Sequence, residues 1–305
     1  MSKTEIHTID LKFQGLAGSI AVYLIPHKDG AILVESGPGS TKPGLKAGLA
    51  EYGFRPEQVT DVFLTHIHLD HAGAAGWLSH QGARIHVHPN GAPHLLNPEK
   101  LLASAGRIYG DMMDSLWGEF LPVPAERLCI LEDLKAVEIN GFAFQPIDTP
   151  GHASHHFAYI FEDICFSGDI GGVRLAGLPH IRVPMPPPEF HLEKWRESLD
   201  RLRQQKFSRI APTHFGIYED AGFHLQALEK ALEEVDEWID RVMPSNLSLE
   251  DLRREFISWN EQLSREQGLD RTQVNLHEAA NPSFMSADGI RRYWLKIRLP
   301  ERSMT

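Results

Sequence analysis

Short apolar runs rich in β-branched residues alternate with turn-forming residues through the first part of the chain. Ile20-Ala21-Val22-Tyr23-Leu24-Ile25 and Ala31-Ile32-Leu33-Val34-Glu35 flank His27-Lys28-Asp29-Gly30, the pattern of a hairpin. A glycine-rich stretch, Ser36 to Ser40, leads into a helical segment ending near Tyr52, and Asp61-Val62-Phe63-Leu64-Thr65 then reads as another strand. Strand, helix and strand in that order predict an α/β sandwich. A further strand carries Ala83, Ile85 and Val87, after which a polar, helical region at about 90–125 reads as an insertion over one face and part of a substrate wall. Strands resume at Phe142–Ile147, Phe157–Phe161, Ile164–Ser167 and Arg209–Pro212. Val183-Pro184-Met185-Pro186-Pro187-Pro188 is held extended by its prolines and reads as a loop or linker. No fixed-period repeat is visible.

The last part of the chain changes period. Leu228, Leu232, Val235, Ile239 and Val242 recur at helical spacing, as do Leu252, Phe256, Trp259 and Leu263 behind the capping pair Ser248 and Asp251. Such stripes pack on the main domain or, alternatively, form a homodimer contact through the C-terminal helices. The expected division is a domain at 1–220 and a helical extension at 221–305.

Composition narrows the function. With 305 residues, 42% hydrophobic and 23% charged, the chain has the make-up of an ordinary globular protein with room for a substantial core. Its net charge of −11 lacks the positive field that nucleic acid or an anionic membrane surface requires. No apolar run approaches the roughly 18 residues of a membrane helix, and Met1 to His7 holds no signal-like apolar stretch, so a cytoplasmic protein is expected. Cys129 and Cys165 lack metal or redox spacing and read as buried free thiols.

The 17 histidines direct attention to metal chemistry. Directly after the strand Val62-Phe63-Leu64 stands Thr65-His66-Ile67-His68-Leu69-Asp70-His71-Ala72-Gly73. Alternation puts His66 and His68 on one side of an extended segment, and Asp70 with His71 follows where the chain turns. Two pairs of ligands can therefore face two ions.

This run resembles the signature of the metallo-β-lactamase superfamily, whose members are αββα four-layer sandwiches that act as metallohydrolases. The resemblance covers most of residues 1 to 220. It implies three further ligands after later strands, and His152, Asp169 and His214 occur in the required order, in Pro150-Gly151-His152, Ser167-Gly168-Asp169 and Pro212-Thr213-His214. By resemblance, His66, His68 and His152 bind one metal, Asp70, His71 and His214 bind the second, and Asp169 bridges them. Imidazole and carboxylate donors without cysteine suit zinc first, with manganese or iron as alternatives. Two such ions share a bridging hydroxide and polarise a scissile carbonyl or phosphoryl oxygen, which makes hydrolysis the natural outcome. The resemblance also assigns Asp70 a catalytic role, orienting that hydroxide and passing a proton to the leaving group.

The expected substrate is a small molecule cleaved at an ester, lactone or thioester, with a β-lactam behind them, because β-lactamases of the family generally lack the bridging aspartate. Alternatives are a mononuclear iron oxygenase of the persulfide dioxygenase type and a small-molecule phosphodiesterase. One departure stands out. The family's usual Asp-x-Gly is Glu35-Ser36-Gly37 here, so the supporting carboxylate is one methylene longer and its hydrogen bonds to the ligand turn are not set by the motif. Of the remaining candidates, His155 and His156 read as structural or exposed residues or as substrate contacts, and His86, His88 and His94 as structural or pocket-lining. Tyr109, Trp117, Tyr218 and His224 are candidate pocket residues.

Overall fold

The computed structural model describes residues 3–177 and 179–302, so the outer domain limits at 1 and 305 lie outside the described residues. The first sheet has the order β1 (His7–Asp10), β2 (Ala21–His27), β3 (Gly30–Val34), β4 (Val59–Phe63), β5 (Arg84–Val87) and β6 (Leu128–Ile130). The first three strands pair antiparallel, and β3 to β6 run parallel. The second sheet contains β7 (Val137–Ile139), β8 (Phe142–Asp148), β9 (Phe157–Phe161), β10 (Ile164–Phe166) and β11 (Arg209–Ala211), with only β10 and β11 parallel.

Period-two alternation explains why these strands are apolar almost without interruption. In β2 and β3, Tyr23, Ile25, Ile32 and Val34 point between the sheets, while Val22, Leu24, Ala31 and Leu33 point into a second core. The inter-sheet layer is aromatic: Phe63 stacks on Phe144 at 4.3 Å, and Phe144 on Phe161 at 4.6 Å. Helix α1 (Lys42–Glu51), the turn helix α2 (Leu69–Ala72) and α3 (Ala75–His80) pack on the outside of the first sheet. The insertion consists of α4 (Ala92–Leu96), α5 (Glu99–Tyr109) and α6 (Met113–Trp117).

The outside of the second sheet is covered by α7 (Leu192–Arg203), α8 (Ala221–Val242), α9 (Leu249–Glu266) and α11 (Ser283–Tyr293), with α10 (Arg271–Ala280) packed on α9. Leu228, Leu232, Val235 and Ile239 of α8 share one core with Leu252 and Phe256 of α9 and with Cys165 and Ile210 of the sheet. Ser248 caps α9 by accepting from the Asp251 amide at 3.1 Å. The result is an αββα sandwich with a helical C-terminal region. Strands β1 and β7 and helix α7 were not singled out by pattern, since they are short or flanked by loops. Cys165 is buried as expected, but Cys129 on the edge strand β6 is only half-buried. Among the described residues, no helix is long and apolar enough to cross a membrane.

Candidate metal centre

Four chain segments deliver the candidate ligands from strand ends. His66 and His68 follow β4, His152 follows β8, Asp169 follows β10 and His214 follows β11, while Asp70 and His71 sit on the single turn of α2. Because each strand ends at the same rim, residues far apart in sequence meet. Three groups form: His66, His68 and His152; His66, His71 and Asp169; and Asp70, His71 and His214, with donor atoms inside each group within 4.8 Å of one another. All seven sequence candidates are therefore brought together.

The far side of each ring decides which nitrogen faces inward. His152 Nδ1 donates to the Pro184 carbonyl at 2.9 Å and His214 Nδ1 to the Ser19 carbonyl at 2.8 Å. Thr65 Oγ1 gives its own proton to Glu35, so His66 Nδ1 donates to that hydroxyl at 3.1 Å. His66 and His152 thus turn two lone pairs toward each other at 3.2 Å, with His68 Nδ1 at 2.9 Å from both. A cation between these nitrogens relieves that arrangement. Asp169 reaches both sides: Oδ2 lies 3.3 Å from His152 Nε2, and Oδ1 lies 3.3 Å from His71 Nε2 and 3.5 Å from His214 Nε2. His71 Nε2 and Asp169 Oδ1 are buried without a hydrogen-bond partner, which is costly unless an ion takes them up. The donor set and these orphaned atoms fit divalent metal.

The charge balance divides the centre. Burial, with His71, His68 and His152 beside it, holds the His66 imidazole well below the usual range, and burial holds His152 down to about 4 against the pull of Asp169. Both are held in the neutral form that ligates a metal. On the other side burial opposes ionisation of Asp70, but His71 and His214 outweigh it and hold the carboxyl down to about 2. Burial likewise opposes the charge on His71, yet Asp70, Asp169 and Glu35 raise it well above the ordinary value.

Glu35 shows what the longer side chain does. Its backbone sits at φ 71°, and its carboxylate accepts from Thr65 Oγ1 at 2.5 Å, His71 Nδ1 at 3.0 Å and Thr213 Oγ1 at 2.9 Å. One buried carboxylate thereby ties together β3, the ligand turn and the segment before His214.

Above the centre lies a cavity of about 420 Å³, lined by His68, Asp70, His152, Asp169 and His214 at its floor and by Leu101, Ala105, Ile108, Trp117 and Met285 on its walls. Tyr109, Trp117 and His94 line it, as does His155, which is buried and not exposed. His156 lies behind the centre, bonded to Thr149 Oγ1 at 2.8 Å. His86 and His88 are structural, held by Asp61 at 2.7 Å and Asp148 at 3.2 Å. The expectation for Tyr218 and His224 is corrected: neither lines the cavity. Tyr218 stacks under the Arg174 guanidinium at 4.0 Å and His224 donates to the Gly171 carbonyl at 2.7 Å, because the chain after His214 turns back behind β11. Pattern reading missed the walls supplied by Pro184 and Pro186 to Glu189, and by Ala279 to Pro282 with Met285 at the junction of α10 and α11. Those segments carry no motif; their role comes from where the helices pack.

A family model described as "Metallo-beta-lactamase superfamily" matches residues 15–214. The chain is similar to the metallo-beta-lactamase fold-containing protein ST1585 of Sulfurisphaera tokodaii, 26% identical over 57% of this chain and 67% of that protein. It is also similar to the atrochrysone carboxyl ACP thioesterase of Aspergillus fumigatus, 25% identical over 73% of this chain and 58% of the relative. Among solved structures, the metallo-beta-lactamase family protein TTHA1429 of Thermus thermophilus superposes with a TM-score of 0.62, covering 98% of this chain and 94% of that one at 21% identity.

Proposed function

Because the chain belongs to the metallo-beta-lactamase superfamily, we propose that it is a binuclear metal-dependent hydrolase cleaving an ester, lactone or thioester of a small molecule, with β-lactams less favoured. The observation that carries this reading is the convergence of seven candidate ligands around Asp169, whose Oδ2 faces His152 while its Oδ1 faces His71 and His214. His66, His68 and His152 would hold one ion, Asp70, His71 and His214 the other, and Asp169 both. Two zinc ions there, or manganese or iron, would lower the pKa of a shared water and polarise the scissile carbonyl.

The chain's own residues supply the rest. Glu35, Ser19 and Pro184 hold the histidine tautomers by accepting from the outward ring nitrogens. Asp70 is open to the cavity, its side chain 21% exposed where Asp169 is 6%, and as a carboxylate it would take the proton given up by the shared water and hand it to the leaving atom. The apolar walls keep bulk water from the acyl group and favour a carbon-rich substrate. A thioester is supported by the name of the fungal relative. A cytoplasmic setting belongs to the same reading, supported by two free cysteines.

The test is elemental analysis of the protein purified without added metal, beside a panel of esters, lactones and thioesters. Two equivalents of zinc or manganese, lost in His66→Ala and Asp169→Ala together with turnover, are expected. A single equivalent of iron with oxygen uptake, or no metal after loading, would overturn the reading.

A further inference from the structure

The cavity roof has a feature the ligand chemistry does not use. On α5, Leu101, Ala105 and Ile108 form one stripe at helical spacing, and Lys100, Ser104 and Arg107 form the neighbouring stripe one residue back. Both stripes line the cavity, so its wall is divided into an apolar band and a cationic band. Lys100 and Arg107 are exposed and make no hydrogen bond or ion pair with any described residue. Other cations of this chain, Arg203 and Arg298 among them, have a carboxylate at hand. Lys100 also stands in the first turn of α5, where the helix dipole disfavours a cation and gives it no local reason to be there. From Lys100 to Arg107 the helix rises roughly 10 Å, so the pair spans the length of an extended anionic group. The carboxylates lining the cavity, Asp70, Asp169 and Glu189, leave the cationic band as the place where an anion can be met away from the metal centre.

We propose that Lys100 and Arg107 form an anion-recognition band at the cavity mouth, so that the substrate is an amphipathic acyl compound with a carboxylate or phosphate on its leaving group. The acyl part lies against Leu101, Ile108, Trp117 and Met285, and the charged part reaches back along α5 to the solvent. The turnover arm of this inference rests on the hydrolase reading; the binding arm does not.

The full-length, metal-loaded protein is assayed with three thioesters sharing a phenylacetyl group: one of N-acetylcysteamine, which is neutral, one of mercaptopropionate, and one of coenzyme A. The expected result is kcat/KM about fivefold to tenfold higher for an anionic thioester than for the neutral one, the scale of one or two rim ion pairs. The preference should shrink between about 20 mM and about 500 mM salt, and reverse in the Lys100→Glu/Arg107→Glu double variant. Preference for mercaptopropionate would identify a carboxylate, preference for coenzyme A alone a phosphate. In parallel, dansylated undecanoic acid and its neutral amide are titrated by fluorescence into wild type and the double variant. Loss of the acid's advantage in the variant supports the band. If no thioester is cleaved while that charge dependence persists, the thioester reading fails and the anion band stands. Equal binding of acid and amide, or an acid advantage untouched by charge reversal, overturns the proposal.

Discussion

Replacing Glu35 with glutamine tests the logic of the centre without touching a proposed ligand. The carboxylate accepts from His71 Nδ1, Thr65 Oγ1, Thr65 N at 3.3 Å and Thr213 Oγ1, all in the interior with Glu35 itself 1% exposed. Glutamine keeps one acceptor oxygen and turns an NH2 group toward the other donors. The threonine hydroxyls can rotate to accept from it. His71 cannot, unless its proton moves to Nε2, the atom that faces Asp169 at 3.3 Å. A hydrogen bond to a charged group is worth about 1.5–3 kcal/mol, so Glu35→Gln should weaken metal binding roughly 10- to 100-fold, the range seen when a ligand's supporting carboxylate is removed. Competition with a fluorescent chelator measures this, with urea unfolding at fixed free metal as the second readout. Glu35→Leu, which leaves several buried donors unmet, should cost on the order of 3–6 kcal/mol and separates loss of fold from loss of tautomer control. Metal affinity within about twofold of wild type in Glu35→Gln would refute the tautomer argument.

Other consequences follow from the same structure. His180 and His224 are buried, and burial holds each down to about 4 against an ordinary 6.5. Above pH 6.5 neither folded nor unfolded chain binds these protons; below it the unfolded chain does and the folded chain does not, so stability falls as pH drops toward 4. Each should remove roughly 2 kcal/mol by about pH 5, and His180→Gln should flatten the urea midpoint between pH 7 and 5; an unchanged slope would contradict this. Arg174 grips Asp220 at 2.7 and 2.8 Å and pairs through its backbone with His214 and Phe215, so Arg174→Lys should lose about 2 kcal/mol by urea denaturation, and a loss under about 0.5 kcal/mol would count against it. A Cβ at Gly289 would lie 1.9 Å from the Met185 carbonyl, so Gly289→Ala should cost on the order of 1–3 kcal/mol and raise KM by displacing the proline-rich wall; unaltered KM with full stability would show that α11 does not fix that wall.

Much of the centre was legible in the sequence. Ligation needs particular donor atoms, so His66, His68, Asp70 and His71 announce themselves within one turn of chain, and His152, Asp169 and His214 each follow an apolar run that ends at the same rim. The alternation of β2 and β3 likewise declares strands buried on both faces, since period two leaves no polar face to solvate. Tyr218 and His224 were misjudged because proximity to His214 in sequence says nothing about the direction the chain takes after β11.

What tertiary structure alone decided is the room above the candidate metal centre. Glu35 could be seen as a departure, but only the positions of Thr65, His71 and Thr213 show that its extra methylene still meets three donors besides a backbone amide. The proline-rich segment and the junction of α10 and α11 became cavity walls through helix packing, as the approach of Gly289 to Met185 illustrates. Metal ligands are identified by chemistry that each residue carries with it. Walls are made by whichever apolar side chains the packing brings within van der Waals reach, and that depends on every helix at once.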